Sequence, residues 1–165
     1  MKTKISFVDI LEEHLPLVQN IYSYYTQHTA YTFHSGLISL NELKEFLFIE
    51  HPKYKAFLIF SGDLLAGYCL LTQYKKRSAY DRTAEVSIYL KPDFTGKGLG
   101  SVAVKQLETV AGKTGIKVLL AFISEANMDS VRFFEKEGYV RCGHFKQVGE
   151  KFGKILDVFA YQKLL

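Results

Sequence analysis

The rhythm of apolar and polar positions changes along the chain and predicts strands alternating with helices. Residues 3–8 read as a short strand. Leu11, Leu15, Val18, Ile21, Tyr22 and Tyr25 then recur at helical spacing, predicting a helix from about Ile10 to Thr26. Pro16 in its first turns allows a start as late as Glu13. The polar-aromatic run from His28 to His34 has no period and reads as a loop. Ser39-Leu40-Asn41-Glu42 is a capping box, and its helix runs through Phe46, Leu47 and Ile49 until His51-Pro52. Ala56–Ser61 and Leu64–Gln73 read as strands joined by the two-residue hairpin loop Gly62-Asp63, with a basic, aromatic connection over Tyr74–Arg82 behind them.

The pattern is most informative over Glu85–Ala111. Ala84, Val86, Ile88 and Leu90 point to one face of a strand, and Glu85, Ser87 and Tyr89 to the other. Pro92 ends the strand, having no N–H to give a ladder. Gly96, Gly98 and Gly100 follow at every second position. Val102, Val104, Leu107, Val110 and Ala111 then predict an amphipathic helix of about three turns. Strand, glycine-rich turn and helix form the arrangement in which free N–H groups at a helix start face an anion, and Lys97 adds a positive charge. The turn therefore reads as a diphosphate cradle. A Walker A loop is excluded, because Leu107 stands where Gly112-Lys113-Thr114 would need the first glycine. A dinucleotide fingerprint also fails: its sixth position, counted from Gly96, is Ser101, and the turn lies mid-chain.

Lys117–Ile123 is a near-continuous apolar run, as in a strand covered on both faces. Asn127 or Asp129 caps a helix carrying Val131, Phe133 and Phe134 and ended by Gly138. Tyr139–Phe145 and Ile155–Gln162 are the last strands, divided by Gly149–Gly153. With no repeat or linker, residues 1–165 are expected to form one α/β domain, a mixed sheet covered by helices. Composition adds little beyond an ordinary globular balance. The net charge of +4 suits an anionic small ligand and is too diffuse to argue for nucleic acid. Cys69 and Cys142, each within an expected strand, read as buried thiols of a reducing compartment and have no metal-ligand spacing. No run has membrane-spanning length and the N-terminus lacks a signal-peptide core, so a cytoplasmic protein is expected, with no membrane or nucleic-acid partner.

Thr95-Gly96-Lys97-Gly98-Leu99-Gly100 resembles the coenzyme A pyrophosphate loop of the GNAT N-acetyltransferases, Gln/Arg-x-x-Gly-x-Gly/Ala, with Thr95 in place of Gln or Arg. The order of elements resembles that fold along the whole chain. Within the superfamily, dispersed blocks resemble the phosphinothricin / methionine sulfoximine N-acetyltransferase group. They are Ile21-Tyr22-Ser23-Tyr24-Tyr25, Thr29-Ala30-Tyr31-Thr32-Phe33, Arg77-Ser78-Ala79-Tyr80 and Glu85-Val86-Ser87-Ile88-Tyr89-Leu90. Further along come Asn127, Ser130-Val131-Arg132, Glu135-Lys136-Glu137-Gly138-Tyr139, Val148-Gly149-Glu150-Lys151-Phe152-Gly153 and Asp157-Val158. The resemblance implies a GNAT fold, a mixed, mostly antiparallel sheet of about seven strands flanked by four helices. It implies acetyl-CoA as cosubstrate without a metal, direct attack by the α-amine of a small amino acid or analogue in a ternary complex, and a homodimer with the pocket near its interface.

The same resemblance implies roles. Glu85 matches the general base. Its place on the face opposite Val86 and Ile88 follows from alternation, and burial against Phe33 and Tyr80 would raise its pKa. Ile88, Tyr89 and Leu90 match backbone that pairs with the pantetheine arm, and Gly96, Lys97, Gly98, Leu99, Gly100 and Ser101 match the pyrophosphate loop. Asn127 matches a position near the pantetheine, where it can equally be a helix cap. Phe134 stands where a tyrosine usually protonates the leaving thiolate, so no general acid is assigned; Phe134 is either a pantetheine contact or plain core. Arg77 matches a carboxylate clamp, with Lys75 and Tyr80 alongside, Phe33 as an apolar wall and Lys151 reaching in from a C-terminal loop. Ile155 replaces a tryptophan common in the group, and the chain has no Trp, so the side-chain pocket is expected to differ. Two other readings stay open: a GNAT enzyme acting on a polyamine, an aminoglycoside or a protein N-terminus, and a silent acyl-coenzyme A-binding module.

Overall fold

The computed structural model describes residues 3–165. Seven strands form one sheet in the order β1-β2-β3-β4-β5-β7-β6. They are β1 (Ile5–Asp9), β2 (Ala56–Ser61), β3 (Leu64–Gln73), β4 (Thr83–Leu90), β5 (Val118–Ser124), β6 (Val140–Lys151) and β7 (Lys154–Leu164). The helices are α1 (Leu15–His28), α2 (Leu40–Leu47), α3 (Leu99–Lys113) and α4 (Met128–Lys136). All pairs are antiparallel except β4–β5. That parallel pair is short. It runs from Thr83↔Val118 to Glu85↔Leu120, while β4 stays paired to β3 as far as Leu90. From Val86 onward β4 and β5 diverge, and a wedge opens in the middle of the sheet.

Alternation along the strands divides the core into two layers. On one face α3 and α4 cover Cys69, Leu71, Ala84, Val86, Leu119, Ala121 and Ile123. On the other, α1 and α2 cover Leu58, Tyr68 and Leu70 of β2 and β3, with Tyr89 packed against them. The α1–α2 layer does not extend over β5, β7 and β6, so that half of the second face stays open beside Glu85.

Several elements differ from expectation, each for a local reason. The first helix starts at Leu15 after a 3-10 turn at Glu12–His14, because Pro16 suits a first turn, where its missing N–H is no loss. The second keeps its Ser39–Glu42 capping box but ends at Leu47. There Phe48 turns left-handed (φ 49°), and its ring packs against Tyr54 and His51. The third is longer than expected, and its buried stripe is Leu99, Ala103, Val104, Leu107 and Ala111; Val102 faces solvent. The last two strands run through the segment read as a divider, with only Phe152-Gly153 as the turn. Both turn residues have positive φ (52° and 71°), the twist that suits a two-residue hairpin. Cys69 is buried as expected. Cys142 is exposed, because it falls in a bulge on the edge strand β6.

Candidate active site

Glu85 is the last residue of β4 paired to β5, so its carboxylate stands at the apex of the wedge. It lies on the face opposite Val86, whose side chain is core. Burial pushes the carboxyl up to about 7, and the nearby Lys75 ammonium pulls it partly back. A carboxyl in that range holds a proton or gives it up near neutral pH, which is what a general base requires.

Aromatic rings crowd the same face. The Tyr74 and Phe122 rings are nearly parallel, 6.2 Å between centroids, with Tyr80 edge-on to Tyr74 at 5.6 Å and Phe145 6.5 Å beyond Phe122. Phe122 is two residues past Leu120, Glu85's partner, and so shares its face. Tyr80 was anticipated. Tyr74, Phe122 and Phe145 were not, since ring stacking between distant strands leaves no local signal. Phe33 is half in solvent and makes no ring contact among the described residues. Lys75 lies 5.3 Å from the Tyr74 ring. The exposed Arg77 side chain makes no hydrogen bond or ion pair among the described residues.

Lys151 sits differently from its reading. It closes β6 rather than lying in a loop, and it is buried. Its Nζ donates to the Thr32 carbonyl (3.2 Å) and to Thr32 Oγ1 (2.9 Å), with no carboxylate partner among the described residues. Burial lowers its pKa. The partner Thr32 lies in the loop between α1 and α2, within the block Thr29–Phe33; its contact with Lys151, far along the chain, leaves no local signal.

On the wedge's other side, the β4 edge from Val86 to Leu90 has no strand facing it. The Ile88 and Leu90 side chains pack toward the α3 layer, and Tyr89 stacks on Tyr68 at 5.1 Å in the α1 layer. The Tyr25 hydroxyl donates to the Leu90 carbonyl. Gly67 of β3 makes this close strand approach possible: a Cβ there would lie 2.3 Å from the Tyr89 carbonyl oxygen. A glycine inside a strand pattern is the signal that could have revealed it.

The glycine turn splits into two roles. Gly96 and Gly98 take left-handed φ values of 70° and 80°, and a Cβ at either would meet nothing within 4 Å, so space is open in front of the backbone. Gly98 caps α3 without any side-chain hydrogen bond, leaving the first-turn N–H groups for an outside acceptor. Gly100 instead makes room for α4, since its Cβ would lie 3.1 Å from the Phe133 ring. Thr95 donates its hydroxyl to the Pro92 carbonyl (2.8 Å), and Ser101 donates its own to Glu137. Thr95 also gives its backbone N–H to the Pro92 carbonyl (3.2 Å), so it has no donor left for an anion, and any contribution of Ser101 rests on its backbone N–H. Lys97 is exposed, 5.6 Å from the Phe94 ring, and Leu99 is core. This donor set fits a diphosphate. Asn127 is a true cap, its Oδ1 accepting from Ser130 N (3.2 Å). Phe134 is buried between Phe133 and Tyr139, both at 5.0 Å. Two concavities at the end of α2, around Phe48–Glu50, include none of these residues.

Comparison with known proteins places this geometry in context. The chain is 26% identical over 160 residues to the phosphinothricin N-acetyltransferase of Streptomyces coelicolor, covering 94% of this chain and 93% of that one. It is 27% identical over 142 residues to the L-methionine sulfoximine/L-methionine sulfone acetyltransferase of Salmonella typhimurium, covering 86% and 83%. A crystal structure of a phosphinothricin acetyltransferase from Sinorhizobium meliloti in complex with acetyl-CoA superposes with a TM-score of 0.89 at 25% identity, covering 100% of this chain and 89% of that one. The family profile described as Acetyltransferase (GNAT) family matches residues 18–139. With the wedge, the glycine turn and the β4 carboxylate in one sheet, the chain belongs to the acetyltransferase (GNAT) family.

Proposed function

We propose that the protein transfers the acetyl group of acetyl-CoA to the α-amine of a small amino acid or analogue, of the phosphinothricin and methionine sulfoximine or sulfone kind, in a ternary complex. The observation that carries this is Glu85 at the wedge apex, its carboxyl raised to about 7. The names of the relatives support the donor and the acceptor class.

The thioester is what acetyl-CoA supplies; the protein positions it. The backbone at Gly96, Gly98 and the first turn of α3 receives the diphosphate, with Lys97 adding charge and Leu99 and Gly100 keeping α3 seated against its neighbours. The free edge of Ile88, Tyr89 and Leu90 pairs with the pantetheine amides as an added strand would, and Asn127 borders it. Glu85 takes a proton from the ammonium of the acceptor, directly or through a water, and the neutral amine attacks the thioester carbonyl. The C–N bond forms and the C–S bond breaks. Phe134 has no proton to give; attack leaves a second, acidic proton on the nitrogen, and its loss neutralises the departing thiolate while Glu85 returns the first to solvent. Lys75 and Arg77 hold the acceptor carboxylate, with Tyr80 and Phe33 at its sides. Lys151 uses two of its three ammonium donors on Thr32, and an acceptor carboxylate is the charge that would complement it.

A homodimer fits the apolar side chains exposed on the β6–β7 hairpin, Phe145, Val148, Phe152 and Ile155. A reducing cytoplasm fits two unpaired cysteines. No helix among the described residues is long and apolar enough to cross a membrane.

The test is thiol release from acetyl-CoA with methionine sulfoximine, methionine sulfone, phosphinothricin, the common amino acids, spermidine and an aminoglycoside, using wild type and Glu85→Gln. Turnover of the amino acids is expected, with a loss of about 10²–10⁴-fold in the variant. Turnover of spermidine alone would overturn the acceptor class. Tight coenzyme A binding without turnover would overturn catalysis itself.

A further inference from the structure

We propose that Asp157 is a positioning residue for the acceptor site: it pins the bulge that aims the β6–β7 hairpin at the α1–α2 loop, and so sets where Lys151 stands. The inference rests on the acceptor reading above only for its kinetic consequence. Pairing of β6 with β7 is regular from His144↔Phe159 to Phe145↔Val158 and resumes at Gly149↔Leu156. Lys146, Gln147 and Val148 therefore oppose the single residue Asp157. Such a bulge bends the strand and re-aims everything beyond it. Gln147 sits left-handed at φ 57°, a conformation a non-glycine residue holds only when its surroundings impose it.

Asp157 imposes it through its carboxylate. Its Oδ1 accepts from Gln147 N–H (2.8 Å), and its Oδ2 lies 2.6 Å from His144 Nε2. Its own N–H donates to Glu125 Oε1 (2.9 Å), tying the bulge to the end of β5. One carboxylate closes both sides of the bulge, and these bonds hold it below its ordinary pKa. At the far end of the hairpin, Phe152 and Ile155 are largely exposed. The buried Lys151 is the tip's hydrogen-bonded attachment to the α1–α2 loop, through Thr32. The hairpin is thus held at its root by Asp157 and at its tip by Lys151. Loss of the root would let the pairing slip, and a slip of one residue turns Lys151 to the opposite face, away from Thr32.

The experiment compares wild type with Asp157→Ala, Asp157→Asn and Thr32→Val. It reads amide hydrogen exchange of the intact protein and the separate KM values for acetyl-CoA and for methionine sulfone. Asp157→Ala is expected to speed exchange about tenfold at residues 149–154 and 29–34 together, and to raise the methionine sulfone KM about tenfold. The acetyl-CoA KM and exchange in β4 should stay within about twofold. Asp157→Asn, which keeps an acceptor for the Gln147 N–H, should recover most of the loss. Thr32→Val should loosen the same two segments with the bulge intact, which keeps the idea testable if Asp157→Ala fails to fold. Faster exchange in the hairpin alone, or equal shifts in both KM values, would overturn the proposal. A wild type that acetylates no amino acid sinks the acceptor reading, and exchange then decides the pin by itself.

Discussion

At Glu85, the burial that suits the carboxyl to accept a proton also weighs on the fold. Its pKa moves from an ordinary 4.5 to about 7 on folding, so between those values the folded state binds more protons than the unfolded one. Stability then falls as pH rises from about 4.5 to about 7, and the full penalty persists above that. Glu85→Gln removes the charge and keeps the shape. Urea denaturation should show the variant more stable than wild type by about 1–2 kcal/mol at pH 8, with the gap closing below pH 4.5. A variant no more stable than wild type at pH 8 would mean the carboxylate is well solvated. Alternation alone was enough to place Glu85 opposite Val86. Its surroundings were not legible, because Tyr74, Phe122 and Phe145 meet only after three separate segments have folded. Phe33, expected to help bury it, stays half in solvent.

Among the elements, the β3–β4 pair carries the tightest constraint. A Cβ at Gly67 would lie 2.3 Å from the Tyr89 carbonyl oxygen and 2.9 Å from the Leu90 Cα. Backbone on both sides cannot move aside as a flexible side chain would. Gly67→Ala should therefore cost about 2–4 kcal/mol in thermal or urea unfolding. It should also raise the acetyl-CoA KM, since the strand it displaces is the free edge of the wedge. Unchanged stability would show that β4 can shift without cost. The helices were legible where the signal is local, as with the Ser39 cap of α2 and the Asn127 cap of α4. Ends governed by packing were missed. Phe48 stops α2 early to reach Tyr54, and β6 extends to Lys151 because β7 pairs with it that far.

For the whole molecule, the wedge and the hairpin decide what the sheet can do. The apolar side chains on the hairpin support a dimer, and sedimentation should find one, with Phe152→Glu and Ile155→Glu shifting it to monomer. A wild type that sediments as a monomer at every concentration would remove that reading. Strand and helix order, the glycine turn and the face of Glu85 were determined by the sequence alone, because period, capping and turn chemistry act over a few residues. Only the tertiary structure decided that β4 parts from β5 just past Glu85, that Gly100 serves Phe133, and that Lys151 is buried against Thr32. These depend on contacts between residues far apart in the chain, up to the 119 positions between Thr32 and Lys151. Burial at such contacts, which no local pattern encodes, is what moves the Glu85 carboxyl toward neutral pH.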